Sequence, residues 1–204
     1  TNKTSDRTEQ YYRYTYRQNN APDDLWFPPY AVINRVNVLL EAIDKGEVPM
    51  SDVVKNSKGE ALAIRALAHF NLLITYGAPY LKDNGASLGV PVVKEVLTAA
   101  ELPARQTVAQ GYAAVLEDLT DALSFIDENK NYGHFNRWAV KALLARVNLY
   151  KGDYDAAYGY AKENNKQIHF MGLVSDGGVH SSLEHLMKLT DIAKEYGISK
   201  AYVH

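Results

Sequence analysis

Residues 58–70, KGEALAIRALAHF, decide the fold because they form the strongest helical pattern in the chain. Their apolar side chains cover more than one face of a helix, so we expect this helix to be buried on most sides. The pattern predicts a helix over Lys58–Tyr76 that ends at Gly77 and Pro79, since both residues interrupt helices.

Three of the polar side chains within this predicted helix have predicted roles. His69 stands beside Phe70 on the apolar helix, which predicts a buried, hydrogen-bonded histidine. Arg65 and Glu60 are predicted to be structural ion-pair partners rather than catalysts.

Further helices are predicted on both sides of this stretch. Upstream, apolar spacing indicates a helix from Asp24 to about Lys45, with Pro28 and Pro29 near its start. Downstream, the sequence predicts a long irregular excursion over residues 78–106. Three more helices follow in the prediction: Thr107–Ile126, one capped by Asn136, and Tyr154–Glu163.

A short turn, Lys151-Gly152-Asp153, joins the last two of these helices, and the second of them is rich in alanine. This is the antiparallel pair found in tetratricopeptide-like repeats, where alanine lets two backbones approach closely. An ordinary helical hairpin fits the same local pattern. Either way, the fold class is mainly α.

The pattern changes at about Asn164. Gln167–Phe170 reads as a strand, a glycine loop follows, Ser181 or Ser182 can cap a helix, and Ala201–Val203 begins another strand. This is a short β-loop-α-β fragment with two parallel strands. One helix cannot cover both faces of such a sheet, so the fragment is expected to need further strands.

Composition excludes several classes of protein. The 204 residues carry 22 Lys and Arg against 24 Asp and Glu, so the charge gives no reason to expect nucleic acid as a partner. The absence of Cys excludes disulfides, thiolate zinc sites and cysteine nucleophiles. No apolar run reaches the ~18–20 residues of a transmembrane helix. The polar first ten residues predict no export signal in this chain.

Several ordered blocks between residues 10 and 163 resemble the SusD/RagB family of surface lipoproteins, which deliver glycans to TonB-dependent outer-membrane transporters in Bacteroidetes. The resemblance implies tetratricopeptide-like helical repeats, glycan binding by surface aromatics and no catalysis. It also implies an oligosaccharide ligand, a transporter partner of the SusC type and a place on the outer membrane. The blocks are Trp26 with Tyr30, Ile33, Asn34 and Asn37; residues 58–70; residues 76–80; residues 89–91; residues 116–119; and residues 142–154.

Residues 162–204 resemble a second family, the cofactor-independent phosphoglycerate mutases. The resemblance rests on IHFMGLVSDGGVHS, residues 168–181, and on short matches at 185–186, 193–194 and 202–204. It implies that His180 contacts phosphoglycerate and that the parent protein is cytoplasmic. It also implies that the nucleophilic serine and the ligands of two manganese ions belong to another domain of the intact mutase, so no cofactor is expected here.

The glycine loop of this segment is a candidate substrate site. Gly177 and Gly178 let backbone N–H groups approach an anion closely, and His180 can donate to it. The alternative is a plain turn before a helix. Asp176 with His180 and His185 is a poor metal site, because a spacing of five residues does not place both histidines on one helical face.

Aromatic residues supply the candidate glycan contacts. Tyr14 and Tyr16, in a cluster with Tyr11 and Tyr12, can stack on sugar rings. The alternating spacing also fits an edge strand or an arm packed on the helices, and packing is the favoured interpretation. Trp26 and Trp138 lie in apolar helical patterns and are predicted to be core residues. Adjacent carboxylates such as Glu117-Asp118 point apart on a helix and indicate no hydrolase.

These observations predict a composite chain. Residues 1–161 form a truncated SusD-like helical module and residues 162–204 a fragment of a mutase substrate domain. The expected function is non-enzymatic glycan binding in nutrient uptake. The alternative is a phosphoglycerate mutase that interconverts 3- and 2-phosphoglycerate, represented only by its fragment.

Overall fold

The computed structural model describes residues 25–98, 100–163, 165–171 and 182–204. Within these ranges the protein has six α-helices and two short strands. They are α1 (Phe27–Asp44), α2 (Asp52–Tyr76), α3 (Val108–Ala122), α4 (Arg137–Lys151), α5 (Tyr154–Glu163), β1 (Ile168–Phe170), α6 (Leu183–Glu195) and β2 (Ala201–Val203). None of these helices combines the length and apolar character needed to cross a bilayer.

The first two helices confirm their predicted ends. Helix α1 has proline in its first turn and is followed by Gly46 in the left-handed region, with φ of 71°. Its predicted start at Asp24 lies outside the described residues. Helix α2 ends at Tyr76 as predicted but begins six residues before Lys58, because Ser51 accepts a capping hydrogen bond from the Val54 N–H. The added turns are largely polar or exposed, so apolar spacing did not reveal them.

Helix α3 begins as predicted and ends early. Thr107 and Gln110 form a reciprocal capping box at its start. The predicted end at Ile126 is wrong by four residues, because Leu123, Ser124 and Phe125 bond to carbonyls three residues back and tighten the chain into turns.

Helices α4 and α5 form the predicted hairpin. The Asn136 side chain caps α4 by accepting from the Ala139 N–H at 2.9 Å. Gly152 ends α4 with φ of 83°, and a Cβ there would lie 2.5 Å from Leu81 Cδ2. The left-handed backbone conformation therefore favours glycine here, whereas the added Cβ would meet only the end of the exposed Leu81 side chain.

The main apolar core lies among helices α1 to α4. Phe70, Ile33, Leu119 and Val140 are fully buried within it. The excursion over residues 78–106 is largely irregular, as predicted, apart from one 3₁₀ turn and an isolated bridge. It still belongs to the core, because Val90 and Val93 are buried there.

The C-terminal segment confirms the predicted strand, helix and strand. Strands β1 and β2 are parallel, with Ile168 opposite Ala201. A second, smaller apolar cluster joins α5 to this segment through four buried residues: Ala157, Tyr158, Ala193 and Ile198. Helix α5 therefore contacts α4 and also forms part of the C-terminal cluster.

Candidate functional site

A buried ion-pair network holds the helical unit together. The Arg65 guanidinium donates from Nε and Nη2 to the two carboxylate oxygens of Asp118, both at 2.8 Å. Its Nη1 donates to Asn37 Oδ1 at 2.8 Å and to the Lys94 carbonyl at 3.2 Å. Arg65 is therefore an ion-pair partner, as predicted. Because both partners are buried, the pair contributes geometry more than net stability.

The same network fixes the excursion. The Asn37 amide donates to the Glu95 carbonyl at 2.8 Å and to the Val93 carbonyl at 3.3 Å. Lys94 Nζ lies 3.0 Å from Asp118 and 2.9 Å from Glu117. The sequence analysis did not identify Asp118 as a buried ion-pair partner. One signal was available, because Asp118 precedes Leu119 and follows Val115 by three positions. It therefore lies on the apolar face of its helix.

His69 is a structural residue, as predicted. It is 2% exposed. Its Nδ1 lies 3.1 Å from the Arg65 carbonyl, and its Nε2 accepts from the Val93 N–H at 3.1 Å. Only the neutral ring with a proton on Nδ1 satisfies both partners. Burial lowers the pKa of His69 from 6.5 to about 4.

Glu60, on the same helix, is also a structural residue. Its carboxylate lies 2.9 Å from His134 Nδ1 and accepts a hydrogen bond from the Phe135 N–H at 3.1 Å. These contacts attach the loop before α4 to α2. They confirm the predicted structural role of Glu60.

Aromatic side chains gather where α1 begins and α2 ends. We define the aromatic patch as Trp26, Phe27, Tyr30 and Tyr76. The Trp26 ring centroid lies 5.1 Å from that of Tyr30 and 4.9 Å from that of Tyr76. The prediction of Trp26 as a core residue is wrong, since it is half-buried and packs on the edge of the core.

The aromatic patch has both an anchored and an exposed part. Tyr30 donates its hydroxyl proton to the Pro91 carbonyl at 2.8 Å, and burial raises the pKa of the Tyr30 phenol. Phe27 is 63% exposed. Asn34, exposed one turn beyond Tyr30, lies on the same helical stripe as Trp26 and Tyr30. The patch therefore offers apolar ring surface beside a neutral amide.

A cleft of about 790 Å³ lies between α4, α5 and β1, and we call it the hairpin cleft. Trp138 lines it and is half-buried, so its prediction as a core residue is also wrong. The apolar spacing of α4 places Trp138 on the side of the helix that faces inward. The residues of α5 and β1 on the other side of Trp138 leave a cleft there.

The site residues predicted from the sequence lie outside the described residues: Tyr14 and Tyr16 of the tyrosine cluster, and Asp176, Gly177, Gly178 and His180 of the glycine loop. His185 is described and exposed on α6. In the described part of the chain, no group of three or more His, Asp or Glu residues could hold a metal ion.

Two family profiles match the chain. A SusD-like family, described as starch-binding and associating with the outer membrane, matches residues 1–149. The N-terminal domain of BPG-independent phosphoglycerate mutase matches residues 148–204. The two matches meet within α4.

Solved structures similar to this chain belong to the SusD superfamily. A putative sugar-binding protein from Bacteroides vulgatus is 40% identical, with a TM-score of 0.72 over 81% of this chain and 38% of that one. A SusD superfamily protein from Bacteroides thetaiotaomicron is 38% identical, with a TM-score of 0.73 over 81% and 37%. A laminarin-binding SusD-like protein is 27% identical, with a TM-score of 0.62 over 78% and 32%.

Curated relatives match the other end of the chain. The 2,3-bisphosphoglycerate-independent phosphoglycerate mutase of Parabacteroides distasonis is 61% identical over 87 aligned residues, which cover 37% of this chain and 17% of the mutase. The mutase of Bacteroides fragilis is 49% identical over the same lengths. The chain thus spans about a sixth of these mutases and less than two fifths of the SusD-like structures.

Proposed function

Because the chain belongs to the SusD-like family of starch-binding proteins that associate with the outer membrane, we propose that it is part of a non-catalytic glycan-binding protein of that membrane. The family match over residues 1–149 is the observation that carries this proposal. The mainly helical fold, with SusD-like structural neighbours over 81% of the chain, supports it. SusD-like proteins are binding proteins rather than enzymes.

The aromatic patch is the part of the described chain best suited to a sugar. Aromatic rings present a flat apolar surface to the C–H face of a pyranose, and a neutral amide can bond its hydroxyls. Phe27 supplies the exposed ring and Asn34 the exposed amide. Trp26 is held by two neighbouring rings, which reduces the entropy lost on binding. Tyr14 and Tyr16 remain proposed glycan contacts from the sequence.

Calorimetric titration of the full chain with malto-oligosaccharides and laminari-oligosaccharides tests this proposal. Phe27→Ala and Asn34→Ala are each expected to weaken binding by about tenfold, equivalent to ~1.4 kcal/mol. Tyr132→Ala is the matched control, because Tyr132 is a fully exposed aromatic in the loop before α4. Absence of heat with every neutral oligosaccharide, or equal losses in Phe27→Ala and Tyr132→Ala, would contradict the proposal.

We further propose an interaction with a TonB-dependent transporter of the SusC type. Support comes from the family description, which places its members at the outer membrane. The chain is expected to co-purify with a SusC-type transporter when both are produced in the same cells. Recovery of the transporter without the chain, under conditions where the folded chain is present, would contradict this partner.

For the C-terminal segment, we propose a mutase-like substrate loop without mutase activity. The 61% identity to a phosphoglycerate mutase supports the loop, with Asp176, Gly177, Gly178 and His180 as phosphoglycerate contacts. The segment corresponds to 17% of that enzyme. The resemblance assigns the nucleophile and the manganese ligands to another domain, so we expect neither turnover nor a bound cofactor.

A coupled assay of 3-phosphoglycerate conversion, with manganese present, tests the lack of activity. The expected result is no turnover above buffer. Turnover that disappears in His180→Ala would establish the alternative function and overturn the non-catalytic proposal. Calorimetry with 3-phosphoglycerate, comparing His180→Ala with His185→Ala, separately tests whether the loop binds.

A further inference from the structure

The hairpin cleft has apolar walls contributed by three elements. Ala142, Ala145 and Leu149 line it from α4. These positions follow Trp138 at intervals of three and four residues, so they form one stripe along the helix. The stripe from Trp138 to Leu149 is about 16 Å long at the α-helical rise per residue. Alanines of α5 and the apolar side chains of β1 face it.

The charged groups of the cleft are all of one sign. Lys130, Lys141, Arg146 and Lys166 line it, and in the described part of the chain no lining residue is acidic. The chain as a whole has a net charge of −2, so this concentration of cations is local. Lys130, Arg146 and Lys166 are exposed and Lys141 is half-buried, so the cluster attracts an anion through its summed charge.

Two of these cations lie at the same end of the cleft. Lys166 Nζ is 3.9 Å from the centroid of the Trp138 ring, and Lys141 Nζ is 4.9 Å from it. The Lys166 N–H donates to the Ala161 carbonyl at 2.8 Å, which fixes the base of that side chain to the end of α5. The indole thus has ammonium groups beside it, an arrangement that disfavours stacking of a sugar and favours an anionic head group.

We propose that the hairpin cleft binds a medium-chain carboxylate. The carboxylate would lie at Lys166 beside Trp138, and the hydrocarbon chain would lie along the alanine stripe of α4. A volume of about 790 Å³ is in the range of small-molecule sites. The described residues that line this site include none of the aromatic patch, so its failure would leave the proposed glycan function intact.

The test is a titration of the full chain with laurate below its micellar concentration. Trp26→Phe serves as the background, because the chain has two tryptophans and this change makes Trp138 the only emitter. Laurate is expected to alter Trp138 fluorescence saturably. Dodecyltrimethylammonium, which has the same chain and a cationic head, is expected not to. Equal responses to the two amphiphiles would overturn the proposal.

Variants separate the head-group site from the apolar wall. Lys166→Gln is expected to weaken laurate binding by about tenfold or more, as loss of a charge-assisted contact does. Lys55→Gln, an exposed lysine of α2, is the matched control and should leave binding unchanged. Ala145→Phe fills the cleft and should abolish binding. If Ala145→Phe does not fold, the comparison of Lys166→Gln with Lys55→Gln decides alone, and equal affinities refute the site.

Discussion

The neutrality of His69 makes a specific prediction about acid stability. The ring is buried and both of its nitrogens are engaged, one with the Arg65 carbonyl and one with the Val93 N–H. A second ring proton would place a charge in the core and remove the acceptor that Val93 requires. The folded protein therefore resists protonation of His69, whereas the unfolded chain does not.

The size of the effect follows from the pKa of His69, which is about 4 in the folded protein and 6.5 as the ordinary value. The unfolded state binds the extra proton first, so stability is complete above pH 6.5 and falls as the pH decreases toward 4. At ~1.36 kcal/mol per pKa unit, the full loss is roughly 3 kcal/mol. About 2 kcal/mol of it should be lost between pH 6.5 and about pH 5.

Urea denaturation, followed by circular dichroism across this pH range, measures the effect. Carboxylates also titrate here, so the informative quantity is the difference in unfolding free energy between wild type and His69→Gln, which does not titrate. This difference is expected to shrink by about 2 kcal/mol from pH 6.5 to about pH 5. His185→Gln is the control that removes an exposed histidine. A difference between wild type and His69→Gln that stays constant with pH would refute the reasoning.

Four further predictions concern packing and local stability. Asp118→Ala leaves the Arg65 guanidinium buried without its carboxylate and should cost ~3–5 kcal/mol by urea denaturation. Arg65→Met combined with Asp118→Leu should cost less, ~1–3 kcal/mol, because no buried charge remains unpaired and the buried Asn37 Oδ1 loses its donor. Gly59→Ala places a Cβ 2.7 Å from the Ile126 backbone nitrogen and should cost about 1–3 kcal/mol. Gly159→Ala, with nothing within 4 Å, should instead stabilise α5 by roughly 0.5–1 kcal/mol. Hydrogen exchange should be faster in β1 and β2 than in α2, because a two-stranded sheet with a small apolar cluster opens at low cost.

The helices were predictable because their signals are local. Asn136, Thr107 and Gly152 mark helix ends through hydrogen bonds or backbone conformations that involve a few neighbouring residues. The parallel pairing of β1 and β2 was predictable for a related reason, since a strand, a helix and a second strand in sequence favour a parallel crossover. The predicted start of α2 was wrong because its first turns are largely polar or exposed. The predicted end of α3 was wrong because hydrogen bonds to carbonyls three residues back form turns there.

The features that depend on distant segments were not predictable from local pattern. Asp118 becomes a buried partner only because Arg65, 53 residues away, reaches it. Trp138 lines a cleft rather than the core because β1, about 30 residues later in the sequence, packs beside α4 and leaves space. A helical stripe shows which side of a helix faces inward. It does not show what the opposing surface is or how closely that surface fits.

Helix α5 shows how such a composite chain can still pack. The mutase profile covers residues 148–204 and therefore includes α5, yet α5 contacts α4 as the second helix of a hairpin. Tyr160 of α5 packs against the main apolar core. The same helix contributes Ala157 and Tyr158 to the C-terminal cluster. The packing of α5 thus follows its own apolar pattern, whichever family its sequence resembles. The hairpin cleft lies between α4, which falls mostly in the SusD-like match, and α5 and β1, which fall in the mutase match.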